Sequence, residues 1–163
     1  MKKILLLSDT HSLLDSFVLS HVDTVDEIWH AGDLGNTEVM DNLESLKPVR
    51  MVYGNIDGKE IRAHIPKIAH FNCEGLEVYM IHIGGHPRKY EPTVKSDLAK
   101  LKPDVFISGH SHILKVQYDK NLNLLHMNPG AAGRHGFHHK RTFLKFEISE
   151  GKIENLVIVE KDK

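Results

Sequence analysis

Short motifs ending in metal-competent side chains recur along the sequence: Ser8-Asp9-Thr10-His11, Gly32-Asp33, Gly54-Asn55, Ile81-His82 and Gly109-His110-Ser111-His112. Carboxylates and imidazoles bind divalent cations, and Asn55 adds a neutral carbonyl oxygen together with an amide donor suited to a phosphate oxygen. In extended backbone, side chains at i and i+2 lie on the same side. On that basis Asp9 and His11 are expected to address one cation while Thr10 points away, and His110 and His112 repeat the geometry. Gly32, Gly54 and Gly109 carry no Cβ, which admits tight turns and close approach of backbone to the ions. Asp33 has two carboxylate oxygens and can bridge two metals.

The charge count at such a site points to phosphate. Two divalent cations bring four positive charges, of which Asp9 and Asp33 cancel two, so the site stays positive although the chain carries a net charge of -1. A water whose pKa falls toward ~7 beside a metal would supply hydroxide, and two ions about 3.5–4 Å apart would stabilise the attacking and equatorial oxygens of a phosphoryl group. Mixed imidazole, carboxylate and amide ligation suits Mn, Fe, Zn, Ni or Co better than Mg or Ca.

Five segments distant in sequence must be brought to one place, and the pattern of apolar runs says how. Lys3–Ser8, Glu27–His30, Val49–Tyr53 and Val105–Ser108 read as strands. Helices are expected from Ser12 as N-cap to about His21, over Thr37–Leu46 and over Thr93–Leu101, with Pro48 barring extension of the second. Ile68–Cys73 and Leu76–Ile83 flank Glu74-Gly75 as a hairpin. Lys115–Tyr118 with Leu122–Met127, and Thr142–Ile148 with Ile153–Val159, read as two further antiparallel hairpins. The expected fold class is α/β: two sheets packed face to face as a β-sandwich flanked by helices. In an open α/β sheet the carboxyl ends of the strands form one edge, where loops converge on a ligand.

Composition narrows the classes. A chain of 163 residues suits one domain spanning 1–163, with no linker or internal repeat. The near-neutral balance argues against extended nucleic acid or an anionic membrane surface as partner. Ile4–Leu7 is too short for a signal-peptide core of ~7–15 residues, and no apolar stretch approaches the ~18–20 needed to cross a bilayer. With the single cysteine, Cys73, this gives a cytoplasmic expectation. The expected partner is a small phosphate-ester substrate, and a homo-oligomer is compatible with the sequence. Thirteen histidines spread from His11 to His139 are the unusual feature of the composition.

The ordered set Asp9-x-His11, Gly32-Asp33, Gly54-Asn55, His82 and Gly109-His110-x-His112 resembles the calcineurin-like metallophosphoesterases, in particular the compact YfcE-type phosphodiesterases. The resemblance implies Asp9, His11, Asp33 and His112 around a first metal, and Asp33, Asn55, His82 and His110 around a second, with manganese favoured. Asn128-Pro129-Gly130 also looks like a loop that follows the histidine motif in that family. Many members carry histidine directly after the Gly-Asn pair, where it protonates the leaving group or contacts the phosphate. Here Ile56 and Asp57 stand instead, as is common in the YfcE-type branch, which favours a phosphodiesterase over a monoesterase.

Without that histidine, the leaving group would depart unaided or with help from water, Asp57 or His86. His86, in Gly84-Gly85-His86-Pro87-Arg88, is the candidate catalytic residue beside Asn55, since the double glycine lets its loop bend over the metals; an ordinary exposed loop is the alternative. The basic stretch Gly133–Arg141 is read as either substrate contact or solvated loop. His21, His30, His64, His70 and His126 are read as core or surface residues, and Trp29 and Cys73 as packing. Two other functions compete: a non-catalytic protein-interaction scaffold on the same fold, as in the retromer subunit resembling this family, and a nucleotide phosphodiesterase or nuclease. A complete set of seven competent positions favours the enzyme.

Overall fold

The computed structural model describes Met1–Lys163. Along the chain lie β1 (Lys2–Leu7), α1 (Ser16–Leu19), β2 (Glu27–His30), α2 (Thr37–Leu46), β3 (Val49–Met51), α3 (Lys59–His64), β4 (Ile68–Cys73) and β5 (Leu76–Ile81). There follow β6 (Gly85–His86), β7 (Lys89–Tyr90), α4 (Pro92–Leu101), β8 (Val105–Ile107), β9 (Lys115–Asp119), β10 (Leu124–Asn128), β11 (Lys140–Ser149) and β12 (Lys152–Asp162). One five-stranded sheet has the order β12-β11-β1-β2-β3 and the other β4-β5-β8-β10-β9, with β6 and β7 as a small ribbon.

Alternation along the strands gives each sheet two apolar faces. In β1, Ile4 and Leu6 point between the sheets, where they join Trp29, Leu144 and Phe146 against Val78, Met80, Val105, Ile107 and Met127 of the second sheet. Leu5 and Leu7 point the other way, into a layer with Phe17 and Val18 of α1, Val39, Met40 and Leu43 of α2, and Ile61 of α3. On the outer face of the second sheet, Tyr79, Ile81, Phe106 and Leu124 receive Val94 and Leu98 of α4. This is the two-sheet sandwich flanked by helices that the apolar pattern implied.

Sheet direction then decides where the polar motifs fall. β1, β2 and β3 pair in parallel, so the segments leaving their carboxyl ends, with Asp9 and His11, Asp33, and Asn55, share one edge. β8 pairs in parallel with both β5 and β10, which does the same for His82 and the His110–His112 motif in the second sheet.

Several local expectations are corrected. The helix from Ser12 is absent: His11 and Ser12 take φ of 44° and 69°, and α1 begins only at Ser16. The would-be cap therefore lies in a left-handed turn, which costs a non-glycine residue roughly 1–2 kcal/mol and is incompatible with a helical start there. β3 stops at Met51 rather than Tyr53 and β5 at Ile81 rather than Ile83. α3 and the β6/β7 ribbon were not anticipated; α3 starts from Gly58 with no side-chain cap, so its usual sequence signal is missing. Both C-terminal hairpins are present, but they belong to different sheets.

Candidate metal centre

Backbone hydrogen bonds first fix the loops at the shared edge. Asp9 N–H donates to Gly32 C=O (2.9 Å), His11 N–H to Asp33 C=O (3.1 Å), and Gly109 N–H to His82 C=O (2.9 Å), so four of the five motifs are laced together in two pairs. Asp9, His11, Asp33, His110 and His112 all adopt positive φ, between 44° and 70°. The side chains of Asp9 and His11 therefore converge from two left-handed residues on either side of Thr10 rather than from extended strand. The i, i+2 pairing expected from strand geometry is present for a different reason, and the strain it carries, on the order of 1–3 kcal/mol per residue, is characteristic of functional loops. Gly54 is needed because a Cβ there would collide with Asp33 Oδ1.

The side chains form two groups, Asp9 with His11 and His112, and Asp33 with His82 and His110, each with ligand atoms within 4.8 Å of one another. Asp33 Oδ2 lies 3.4 Å from His11 Nε2 and 3.2 Å from His82 Nε2, between the groups. Asp9 Oδ1 is 3.1 Å from His112 Nε2 and 3.8 Å from both His11 Nε2 and His82 Nε2. Asn55 reaches the second group through a hydrogen bond of 3.1 Å between His110 Nδ1 and its Oδ1. All seven candidate ligands thus meet at one place. His86 stands apart: its Nδ1 bonds Pro87 C=O at 3.0 Å, and it lines a neighbouring cavity beside Gly109 and His110.

The donor set fits cations. Asp9 Oδ1, His11 Nε2 and His82 Nε2 are buried without a hydrogen-bond partner. His82 Nδ1 lies 2.7 Å from Ala31 C=O, an acceptor only, so Nδ1 carries the proton and neutral His82 presents the Nε2 lone pair to the Asp33 carboxylate. Two acceptors 3.2 Å apart repel unless a cation, proton or metal, sits with them. Burial alone would lower the His82 pKa, but the carboxylates of Asp33 and Asp9 raise it, which is the protein's own substitute for that cation. Burial would raise Asp9 and Asp33, yet the surrounding imidazoles hold both below the usual carboxylate range. A hydrogen bond from a ring N–H to a carbonyl is also the arrangement that orients metal-binding histidines elsewhere.

A second layer holds these groups. Asp9 Oδ2 accepts from Ser8 Oγ (2.7 Å) and His110 N–H (3.1 Å), leaving Oδ1 free for the centre. His30, pushed down to about 4 by burial, is neutral; its Nδ1 accepts from Gly32 N–H (3.1 Å) and its Nε2–H donates to Thr10 Oγ1 (3.0 Å). It therefore braces the residues flanking Asp33 and Asp9, a role that reading it as core did not reveal. Asn128 Nδ2 donates to Gly109 C=O (3.0 Å) and Ser111 Oγ (3.1 Å), clamping the double-histidine turn.

Asp57 is corrected as a proton donor. Its carboxylate is buried and accepts from the N–H groups of Leu34 (3.2 Å), Gly35 (2.9 Å) and Gly54 (2.8 Å), so it faces backbone rather than substrate.

The basic stretch divides. Arg141 is fully buried, donating to Ala132 C=O and to both oxygens of Asp15, and so pins the base of the loop. The loop's middle reaches the centre: the His135 ring stacks on His11 with centroids 4.7 Å apart, and His138 meets His112 edge-on at 5.2 Å. Together with Asp33, Asn55, Ile56 and Ile113 these residues enclose a cleft of about 540 Å³ over the site. No helix is long and apolar enough to cross a membrane.

A two-sheet sandwich whose parallel strands deliver clustered carboxylates and imidazoles to one edge defines a metal-dependent hydrolase scaffold. Comparison with known proteins agrees: residues 1–151 match the calcineurin-like phosphoesterase superfamily domain. A probable metallophosphoesterase of Methanothermobacter thermautotrophicus is 33% identical over 130 residues, covering 77% of this chain and 74% of its own length. The structure of a novel archaeal phosphodiesterase superposes with a TM-score of 0.75 at 22% identity, covering 96% of this chain and 99% of the other. Vps29 from Entamoeba histolytica in complex with zinc gives 0.74 at 17% identity, covering 98% of each chain. At these identities the two structures speak to fold alone. The chain belongs to the calcineurin-like phosphoesterase superfamily, whose members use divalent metals.

Proposed function

We propose that the chain, as one domain over residues 1–163, is a phosphodiesterase acting on a small phosphate ester through a dinuclear centre. Asp9, His11, Asp33 and His112 would hold one ion, and Asp33, Asn55, His82 and His110 the other, with manganese the favoured metal. The observation that carries this reading is the position of Asp33 Oδ2, 3.4 Å and 3.2 Å from imidazole nitrogens of the two groups. A pair of divalent ions supplies a nucleophilic hydroxide at neutral pH and offsets charge on the phosphoryl oxygens.

The chain's own residues supply position. Ala31 C=O holds the His82 tautomer, Ser8 and His110 N–H turn Asp9 Oδ1 inward, and His30 fixes the turns on either side. Asn55, exposed at the mouth, offers its amide N–H to a phosphate oxygen. Ile56 has no proton to give, and Asp57 is turned into backbone, so the substrate's leaving group departs without a general acid from this loop. That favours esters with stable leaving groups, and the two substituents of a diester over the dianionic monoester.

The test is hydrolysis of bis(p-nitrophenyl) phosphate and p-nitrophenyl phosphate by the manganese-loaded protein. Faster turnover of the diester, lost in Asp33→Ala, supports the reading. Normal metal loading with no hydrolysis across a panel of phosphate esters would overturn it in favour of the scaffold.

A further inference from the structure

Three exposed apolar side chains stand at the mouth of the cleft over the centre. Phe137 is fully exposed, Ile113 is 63% exposed and Ile56 45%. These side chains come from three loops far apart in sequence, following β3, following the double-histidine turn, and preceding β11, yet all three line the same cleft as Asp33 and Asn55. Single exposed apolar residues are ordinary on protein surfaces and need no account. Three gathered around one polar floor have the composition of a ligand site, in which apolar walls hold the body of a molecule and a few polar groups hold its head. The His135 ring, lying at 21° to His11, adds a flat face on the same wall.

We infer that Ile56, Ile113 and Phe137 form the subsite for the organic arm of the substrate and select phosphate esters whose arm is an aromatic ring. This rests on the phosphoesterase reading of the centre. A ring suits the subsite better than an alkyl chain because two of its surfaces, Phe137 and His135, are themselves flat and aromatic, and such faces gain from offset or edge contacts beyond simple burial. A small molecule suits it better than a protein. The cleft volume of about 540 Å³ is that of a small-ligand site, whereas a stable protein interface needs roughly 800 Å² from each partner, more than three side chains present. The arrangement also joins the two halves of one ligand: an anionic phosphate drawn to the cation-holding floor and an apolar group left at the rim.

Because the inference concerns binding of an arm rather than its departure, inert phosphonates separate it from any effect of leaving-group chemistry. Phenylphosphonate and methylphosphonate share the head group and differ in the arm. Their affinities are measured by calorimetry on the manganese-loaded full chain. The phenyl compound should bind about tenfold tighter, within the range for stacking one ring on an aromatic side chain. Phe137→Ala and Ile113→Ser, both at exposed positions whose loss leaves the core intact, should each remove several-fold of that advantage. Methylphosphonate affinity should stay within twofold, and inorganic phosphate should displace both compounds. Equal affinity for the two phosphonates, or a phenyl advantage that survives in the Phe137→Ala/Ile113→Ser double variant, overturns the subsite while leaving the phosphoesterase reading intact. Binding of neither phosphonate to fully metal-loaded protein overturns both.

Discussion

Replacing Asp57 should damage the centre without touching a candidate ligand. Its side chain is 2% exposed and accepts three backbone N–H bonds, from Leu34 and Gly35 just after Asp33 and from Gly54 just before Asn55. Asp33 Oδ1 returns the tie by accepting from Ile56 N–H at 3.1 Å. In Asp57→Ala all three amides lose their acceptor. A buried donor left unsatisfied costs about 1–3 kcal/mol, and the Gly35 bond, only partly buried, sits at the low end because water can replace it. The summed loss is about 3–7 kcal/mol, a large part of the ~5–15 kcal/mol that keeps a domain folded. Asp57→Asn is the informative contrast. Its carbonyl oxygen can take the place of Oδ2 and keep the Leu34 and Gly54 bonds, while its NH2 faces the Gly35 donor; the loss is about 1–2 kcal/mol. Urea unfolding of the metal-free protein reads both. An Asp57→Ala variant within ~0.5 kcal/mol of the parent, or an asparagine variant as unstable as the alanine one, would refute the idea that these three bonds hold the two loops together.

Other outcomes follow from the same geometry. Asp33→Ala should be the most damaging single ligand change, lowering turnover by at least 10²-fold in steady-state assays with bis(p-nitrophenyl) phosphate, since it removes the oxygen shared by both groups; near-normal turnover would show that the sharing is not functional. In a leaving-group series at fixed metal, rates should rise steeply as leaving-group pKa falls, and Ile56→His should flatten the slope by supplying a general acid, an effect of typically 10²–10⁴-fold for poor leaving groups. A flat series in the parent would mean that another residue already donates, with His86→Ala the variant to identify it. Burial holds neutral His126 down to about 4, against an ordinary 6.5, so between those values the unfolded chain takes up a proton that the native one does not. Stability should therefore fall as pH drops from about 6.5 toward 4, by on the order of 2–3 kcal/mol from this group, and urea midpoints of His126→Gln should show a shallower decline.

Strands were legible because each apolar run is short, bounded by polar or small residues, and long enough to be buried on one or both faces, as Ile4–Leu7 and Val105–Ile107 are. The candidate ligands were legible because they follow those runs closely, and parallel pairing of β1, β2 and β3 in one sheet and of β5, β8 and β10 in the other carries them to one edge. The local backbone was not. Nothing in Thr10-His11-Ser12 announces left-handed φ, because that conformation is imposed by hydrogen bonds of the His11 and Ser12 amides to the Asp33 and Leu34 carbonyls more than twenty residues away. Asp57 looked like a loop acid because its partners Leu34 and Gly35 lie 23 and 22 positions back along the chain. His30 looked like core for a similar reason: its burial is real, and only the tertiary contact with Thr10 gives it a part in the site. The stacking of His135 on His11 depends on a loop whose base is set by the Arg141–Asp15 pair, 126 residues apart in sequence.

The central claim is that two cations, held by groups that share Asp33, turn this fold into a phosphodiesterase. Its most direct test is to add manganese to metal-free protein in steps and follow hydrolysis of bis(p-nitrophenyl) phosphate against the number of equivalents bound. The account predicts little turnover at one equivalent per chain, a rise that breaks at two, and no such rise in Asp33→Ala. Full activity at one bound equivalent, or two equivalents bound with no hydrolysis at all, would contradict it.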